Sequence, residues 1–217
     1  ARYYAMDNVG GDLYDVVELS GGRYVLTIGD VSGHGIPAAL IAAMAKASFR
    51  AHAVLGEDPS EILARVNAEL CELIGEETYY VSAFLAVLDA NDGTLSYANA
   101  GHPPAMLRRN DGQVEELDVS EGQLLGISED FPRASGCVRM NPGDRLVLYT
   151  DGIVEARSAG GQFYECQRLS AFVSEHGGDP VSILAGAIID DVDAFCTGAR
   201  QGDDSAILAI GLDAYRD

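Results

Sequence analysis

The stretch Gly10-Gly11-Asp12-Leu13-Tyr14-Asp15-Val16-Val17-Glu18-Leu19-Ser20-Gly21-Gly22-Arg23-Tyr24-Val25-Leu26-Thr27-Ile28-Gly29-Asp30 decides how the rest of the chain is read. Residues 13–19 and 23–28 have strand character and flank Ser20-Gly21-Gly22. Glycines at the centre of a tight turn take positive φ without a steric cost, so the pattern predicts a β-hairpin. Asp12 opens the first strand and Asp30 follows the second. A tight hairpin sets its outer ends side by side, so these two aspartates are expected to meet.

Three further acidic turns repeat the theme: Gly29-Asp30-Val31-Ser32-Gly33-His34-Gly35, Tyr149-Thr150-Asp151-Gly152-Ile153 and Gly202-Asp203-Asp204-Ser205. Each puts an aspartate beside glycine, next to an apolar run. Carboxylates gathered at strand ends repel one another, and divalent cations are the usual compensating charge. Hard oxygen ligands suit magnesium or manganese rather than zinc. Two such ions, roughly 3.5–4 Å apart, supply what hydrolysis of a phosphate ester needs: an activated water and a clamp on the phosphoryl oxygens. Asp30 is the best candidate to bridge them, because Gly29 lets the backbone approach closely. The carbonyl of Val31 is a candidate for a further oxygen ligand.

Working outward, residues 36–55 read as an alanine-rich helix, with Leu40, Met44, Ala47 and Val54 near helical spacing. Asp58-Pro59-Ser60-Glu61 is a helix start, with Ile62, Leu63, Val66, Leu70 and Leu73 as its inward stripe. Asp179-Pro180 repeats that signal ahead of Ile183, Leu184, Ala187, Ile188, Val192 and Phe195. Strands are predicted over 79–88, 95–100, 105–108, 113–117, 145–149 and 206–210, the first four separated by Asp92-Gly93, Pro103-Pro104 and Asp111-Gly112 turns. Strands, then helices, then many antiparallel strands, then helices and a last strand argue for an α+β class. No repeat or linker is visible, so 1–217 is read as one domain. The chain already reads as strand just after Ala1 and is expected to be cut from a longer regulator.

The 217 residues carry 34 acidic and 14 basic side chains, a formal charge of −20. Phosphate backbones are repelled by such a chain, so nucleic acid is not an expected partner. No apolar stretch is long enough to span a bilayer, and no signal peptide is expected. The cysteines Cys71, Cys137, Cys166 and Cys196 form no C-x-x-C pair; three sit in apolar segments and are expected as small buried side chains. A reducing cytoplasm is consistent with that usage.

The ordered set G-G-D-x-Y-D, G-D-V-S-G-H-G, T-D-G-I and G-D-D-S resembles the metal-dependent, type 2C serine/threonine protein phosphatases, closest to their stage II sporulation E and sigma-B regulation branch. Asn99-Ala100-Gly101-His102-Pro103, Leu124-Leu125-Gly126-Ile127 and Pro142-Gly143-Asp144-Arg145-Leu146 agree, so the resemblance covers nearly the whole chain. It implies a central antiparallel β-sandwich flanked by helix pairs, with two Mn2+ or Mg2+ ions at one end. It implies that Asp30 bridges the ions, Val31 gives a backbone carbonyl, Asp151 and Asp203 serve one ion and Asp12 the other. Gly11, Ser32 and Asp204 are expected to support these ligands. It further implies attack of metal-bound hydroxide on phosphoserine or phosphothreonine, without a phosphoenzyme. The implied substrate is a phosphorylated anti-sigma-factor antagonist or similar small phosphoprotein.

Two departures stand out. Animal members carry an arginine before the first motif that grips phosphate; Tyr4-Ala5-Met6-Asp7-Asn8 has none, which leaves the metals or a residue such as Arg2. His34 follows Asp30 by four positions rather than two, so it is either the general acid or a histidine that fixes the glycine turn. Asp92, Asp111 and Asp144 read as turn acids, Asp15 as a turn acid or a support for the site, His102 as a turn histidine, and Asp190-Asp191 as a solvated face. The alternative to an enzyme is a silent module that sequesters a partner; the retained acids argue against it. An upstream sensory or receiver module, acting through dimerisation to a homodimer, is expected to shift the alanine-rich helix pair.

Overall fold

The computed structural model describes residues 1–6, 9–56, 58–74, 79–119, 123–198 and 202–212. In chain order, its first elements are β1 (Arg2–Tyr4), β2 (Leu13–Leu19), β3 (Arg23–Val31), α1 (Gly35–Ala53), α2 (Pro59–Ile74), β4 (Val81–Asp89) and β5 (Thr94–Ala100). There follow β6 (Ala105–Arg108), β7 (Val114–Leu117), β8 (Gly136–Arg139), β9 (Arg145–Tyr149), α3 (Asp151–Val154), α4 (Glu165–His176), α5 (Val181–Phe195) and β10 (Ser205–Gly211). They sort into two units. Unit 1 is Ala1–Asp7, Ala105–Leu117 and Met140–Asp217; unit 2 is Asn8–Pro104 and Asp118–Arg139.

Unit 2 is built on an antiparallel sheet of order β2-β3-β4-β5-β8. The hairpin turns on Gly21 and Gly22, whose φ values of 77° and 75° only glycine adopts readily. β3 runs to Val31, past the predicted end at residue 28, so Asp30 lies within the strand rather than after it. The extension has a cause at Gly29. A Cβ there would stand 2.7 Å from the Ser82 carbonyl, so the missing side chain lets β4 close along the end of β3.

α1 inverts its expected polarity. Ala38, Ala42, Ala45, Ser48, Phe49 and Ala53 face inward, while Leu40, Met44 and Val54 are exposed and Ala47 also lies outside. Alanines permit close approach to β2 and β3 in a way that leucines cannot. α2 begins as predicted: Asp58 Oδ1 accepts from the Ser60 amide at 2.9 Å and its hydroxyl at 2.7 Å. Its stripe is Ile62, Leu63, Val66 and Leu70, but Ile74 takes the inward place expected of Leu73, which is 56% exposed. Glu69 ties the two helices, accepting from Ser48 Oγ and meeting His52 Nε2 at 2.9 Å.

Unit 1 has an antiparallel sheet of order β1-β10-β9-β6-β7. α5 packs on β10 through Leu184, Ile188 and Val192; Ile183, expected in that stripe, is exposed. α4 was not legible from the sequence, because only Leu169 and Val173 face inward and two apolar residues make no stripe. Asp191 is not merely solvated: it accepts a short hydrogen bond from the buried Tyr164 hydroxyl, whose pKa is pushed up by burial and by that carboxylate. None of the four cysteines is buried. Cys137 is exposed and Cys71, Cys166 and Cys196 are half-buried, since each lies at the flank or end of its element.

Antiparallel sheets with a helix pair on each unit's own sheet match the expected α+β class. Among the described residues no helix is long and apolar enough to cross a membrane.

Candidate metal centre

In unit 2, β2 pairs β3 from Leu19↔Arg23 to Leu13↔Gly29. One more step of this register sets Asp12 across from Asp30. Asp12 is buried and Asp30 half-buried. Gly11 is also buried, and a Cβ there would come within 2.9 Å of the Val31 carbonyl oxygen. Two carboxylates and one backbone carbonyl therefore gather at one end of this hairpin, with glycine clearing the space around the carbonyl.

The loop that follows is tied down by Ser32, whose hydroxyl accepts from the Tyr80 amide while its own amide donates to the Tyr80 carbonyl, both at 3.0 Å. Gly33 and Gly35, at φ of 89° and 76°, then turn the chain into α1. His34 sits between them, exposed and extended, and makes no side-chain capping bond. Asp15 is engaged elsewhere: Arg50 of α1 donates to both its oxygens, at 2.8 and 3.0 Å.

His102 does more than make a turn. It is buried, its Nδ1 meets Ser82 Oγ at 2.9 Å, and Ser82 is the β4 partner of Asp30. Asn99 clamps the His102 backbone, donating to its carbonyl at 2.9 Å and accepting from its amide at 2.8 Å. These two residues steady the strand beside Asp30. The polar spacing within Asn99-Ala100-Gly101-His102 was the available signal.

In unit 1 the same construction recurs. β10 pairs β9 with Ile207↔Tyr149, and the Thr150 hydroxyl accepts from the Ala206 amide at 2.8 Å. This carries Asp151, the first residue of α3, to the Gly202–Ser205 loop. A Cβ on Gly152 would stand 1.8 Å from the Asp204 carbonyl oxygen, so the two segments touch backbone to backbone. Asp204 is buried, accepts from the Met6 amide at 2.7 Å, and donates its own amide to Asp203 Oδ1 at 2.8 Å. Asp203 itself is exposed. Asp7 and Asn8 lie outside the described residues.

Burial raises the Asp151 pKa, and the charges of Asp203 and Glu155 raise it further, against a smaller opposing effect of the Gly152 amide. This is an excess of negative charge awaiting a cation. In each unit the candidate donors are hard oxygens, and in unit 2 the glycine-cleared carbonyl of Val31 adds a neutral one, so the residues of each fit magnesium or manganese. Among the described residues, no three His, Cys, Asp or Glu side chains form a metal-holding group by themselves. An ion held by such a pair would complete its coordination with water or phosphate oxygens, as magnesium usually does.

A stability test follows from Asp151. A carboxyl whose folded pKa lies above its unfolded value disfavours folding once pH exceeds the unfolded value, near 3.9. Asp151→Asn is therefore expected to stabilise the metal-free protein at pH 7. The gain is about 0.5–1 kcal/mol after solvent screening, or about 1–4 °C in Tm. The gain should shrink as pH falls toward 4 and reverse in excess manganese. Melting curves at several pH values, with and without metal, check it; an unchanged or lower metal-free Tm at pH 7 counts against the charge crowding.

The chain belongs to the stage II sporulation protein E (SpoIIE) family, whose model matches residues 20–213. It is 27% identical over 213 residues to phosphoserine phosphatase RsbP of Bacillus subtilis (strain 168), covering 97% of this chain and 51% of RsbP. It is 32% identical over 152 residues to phosphoserine phosphatase RsbU of the same strain, covering 70% of this chain and 44% of RsbU. The chain thus spans about half the length of these curated relatives. Among solved structures, the SiaA-PP2C domain of Pseudomonas aeruginosa superposes with a TM-score of 0.88 at 26% identity, covering 98% of this chain and 85% of that one. The fold is that of a PP2C-type phosphatase domain.

Proposed function

We propose that this domain is a manganese- or magnesium-dependent phosphatase acting on phosphoserine or phosphothreonine of a regulatory protein. The observation that carries the reading is the repeated construction: in each unit, register brings aspartates together at the end of two antiparallel strands, and glycine removes the side chain that would block a neighbouring carbonyl. Asp12, Asp30 and the Val31 carbonyl would hold a cation in unit 2, and Asp151 and Asp203 would hold one in unit 1. Gly11, Ser32 and Asp204 hold these ligands by the close approaches and hydrogen bonds described above. When bound, the ions neutralise phosphoryl charge and lower the pKa of water. His34, exposed on its glycine turn, is the proton donor to the departing serine oxygen.

The substrate is a small phosphoprotein of the anti-sigma-factor-antagonist class, reached in the cytoplasm. A sensory or receiver module outside the chain governs the activity through α1 and α2. The substrate reading rests on the resemblance of the motif set and on the relatives' names as phosphoserine phosphatases, and the module reading on those relatives being about twice as long as the matched region.

Turnover of an aryl phosphate, and of a phosphorylated antagonist, is expected to appear on addition of manganese or magnesium and to fall to background in excess chelator. Phosphate release measured across a metal titration checks this. Full activity in chelator, or a trapped phosphoenzyme, overturns the mechanism. Tight binding of the phosphoprotein with no hydrolysis at any metal concentration favours the silent module instead.

A further inference from the structure

Unit 1 contains a cavity of about 330 Å³ beside Asp203. That size falls at the lower end of the ~300–1,000 Å³ range of small-molecule sites. Its floor is apolar, made by Ile153, Ile189 and Val192. Its charged wall is Glu155, Arg157, Asp193 and Asp203, so Arg157 is the one cation among the described residues that line it.

Arg157 is held in place. The chain leaves Asp151 through α3 and enters a small hairpin in which Arg157 bridges Phe163. The Ser158 amide donates to the Gln162 carbonyl and the Gly161 amide to the Ser158 carbonyl, both at 2.9 Å. The guanidinium carbon lies 4.4 Å from the centroid of the Phe163 ring. A guanidinium held over a ring face can keep its N–H edge free, and that edge matches two phosphate oxygens. Among the described residues Arg157 has no carboxylate partner. Arg2, the alternative cation, does not line the cavity; it donates to the Ala1 carbonyl at 3.0 Å and lies against Gly186 of α5.

We infer that this cavity seats the phosphorylated segment of a protein substrate: Arg157 meets the phosphate, and an apolar side chain next to the phosphorylated residue rests on Ile153, Ile189 and Val192. The inference rests on the phosphatase reading above. Cations held at Asp151 and Asp203 would reverse the local sign of charge, and a phosphate met by Arg157 would then be compensated by both. Glu155 and Asp193 remain on the wall and repel an acidic neighbour. An apolar flanking residue is therefore favoured over glycine, and glycine over aspartate.

The test uses manganese-loaded protein, inorganic phosphate, and three synthetic phosphoserine peptides with Leu, Gly or Asp beside the phosphoserine. Calorimetry should show phosphate affinity about tenfold weaker in Arg157→Ala, the loss of one charge-assisted contact. Arg157→Lys should recover part of it. For the peptides KM should rise in Arg157→Ala with kcat nearly unchanged, as for a contact made equally in ground and transition states. The wild-type protein should bind the Leu peptide about tenfold tighter than the Gly peptide. A residue that merely stacks on Phe163 would lower Tm on mutation without changing phosphate affinity. That result overturns the inference, as do equal affinities for the three peptides. Arg157-dependent phosphate binding without any turnover would instead leave the docking site standing and remove the phosphatase reading.

Discussion

Asp30→Asn is expected to reduce metal-dependent turnover by more than about a hundredfold, since a ligating carboxylate orders its ion and losses of even supporting groups at metal sites cost about 10–100-fold. The fold should survive. The substitution is isosteric, the residue is half-buried, and its backbone pairing with Ser82 is untouched. The decisive measurement is kcat over a full manganese titration, with a melting curve run alongside. Near-wild-type kcat at saturating manganese means Asp30 is not a ligand. Lost activity with a collapsed Tm means only that the strand end was disrupted, and the assignment then falls to Asp12→Asn on the facing strand.

Gly152→Ala should be the most damaging small substitution in unit 1. Its Cβ would meet the Asp204 carbonyl oxygen at 1.8 Å and Ser205 Oγ at 2.9 Å. The nearest atom is backbone, so relief requires α3 and the Gly202–Ser205 loop to part. Overpacking of this kind costs about 3 kcal/mol, equivalent to about 6–12 °C in Tm. Parting the segments also separates Asp151 from Asp203, so manganese affinity should fall with stability. Gly160→Ala is the control, since its nearest neighbour is Ser158 Oγ at 3.7 Å. If the two variants melt together and bind manganese alike, the backbone contact at Gly152 does not organise the site.

Local chemistry announced the parts of this fold whose cause is local. The Ser20-Gly21-Gly22 turn and the Asp58-Pro59 helix start are written in residues adjacent to the structure they cause, and both formed as read. α1 was legible as a helix but not in its orientation. Periodicity locates a stripe of large apolar residues, whereas here the sheet selects alanine, and only the tertiary contact distance decides that. α4 gave no signal because two inward residues do not make a period. Asp144 shows the limit for single residues. It reads as an ordinary Asp-Gly-type turn acid, yet it is buried and accepts from Arg109 Nη1 and from the amides of Asn110 and Asn141.

The candidate ligands read as four acidic turns, two in each unit, and the hairpin alone implied that Asp12 and Asp30 meet. The meeting of Asp151 with the Asp203 loop depends on the β9–β10 register, a pairing between residues far apart that no local pattern encodes. Arg157 stayed hidden for a related reason. Its significance comes from a ring in the facing arm of a small hairpin and from an apolar floor supplied by α3 and α5.

The strand order β1-β10-β9-β6-β7 has a consequence for biosynthesis. β10 lies between β1 and β9, so the second strand of this sheet is the last one the ribosome makes. Until it emerges, β1 has no partner in its sheet and one edge of β9 stays bare. The strands of the other sheet, β2, β3, β4, β5 and β8, are all translated earlier and wait on nothing downstream for their pairing. During synthesis, Asp12 and Asp30 can thus be brought face to face while Asp151 still lacks the strand that carries its neighbours. A ribosome stalled before residue 205 leaves a nascent chain with one finished sheet and one exposed template for edge pairing, a substrate for chaperones rather than an enzyme.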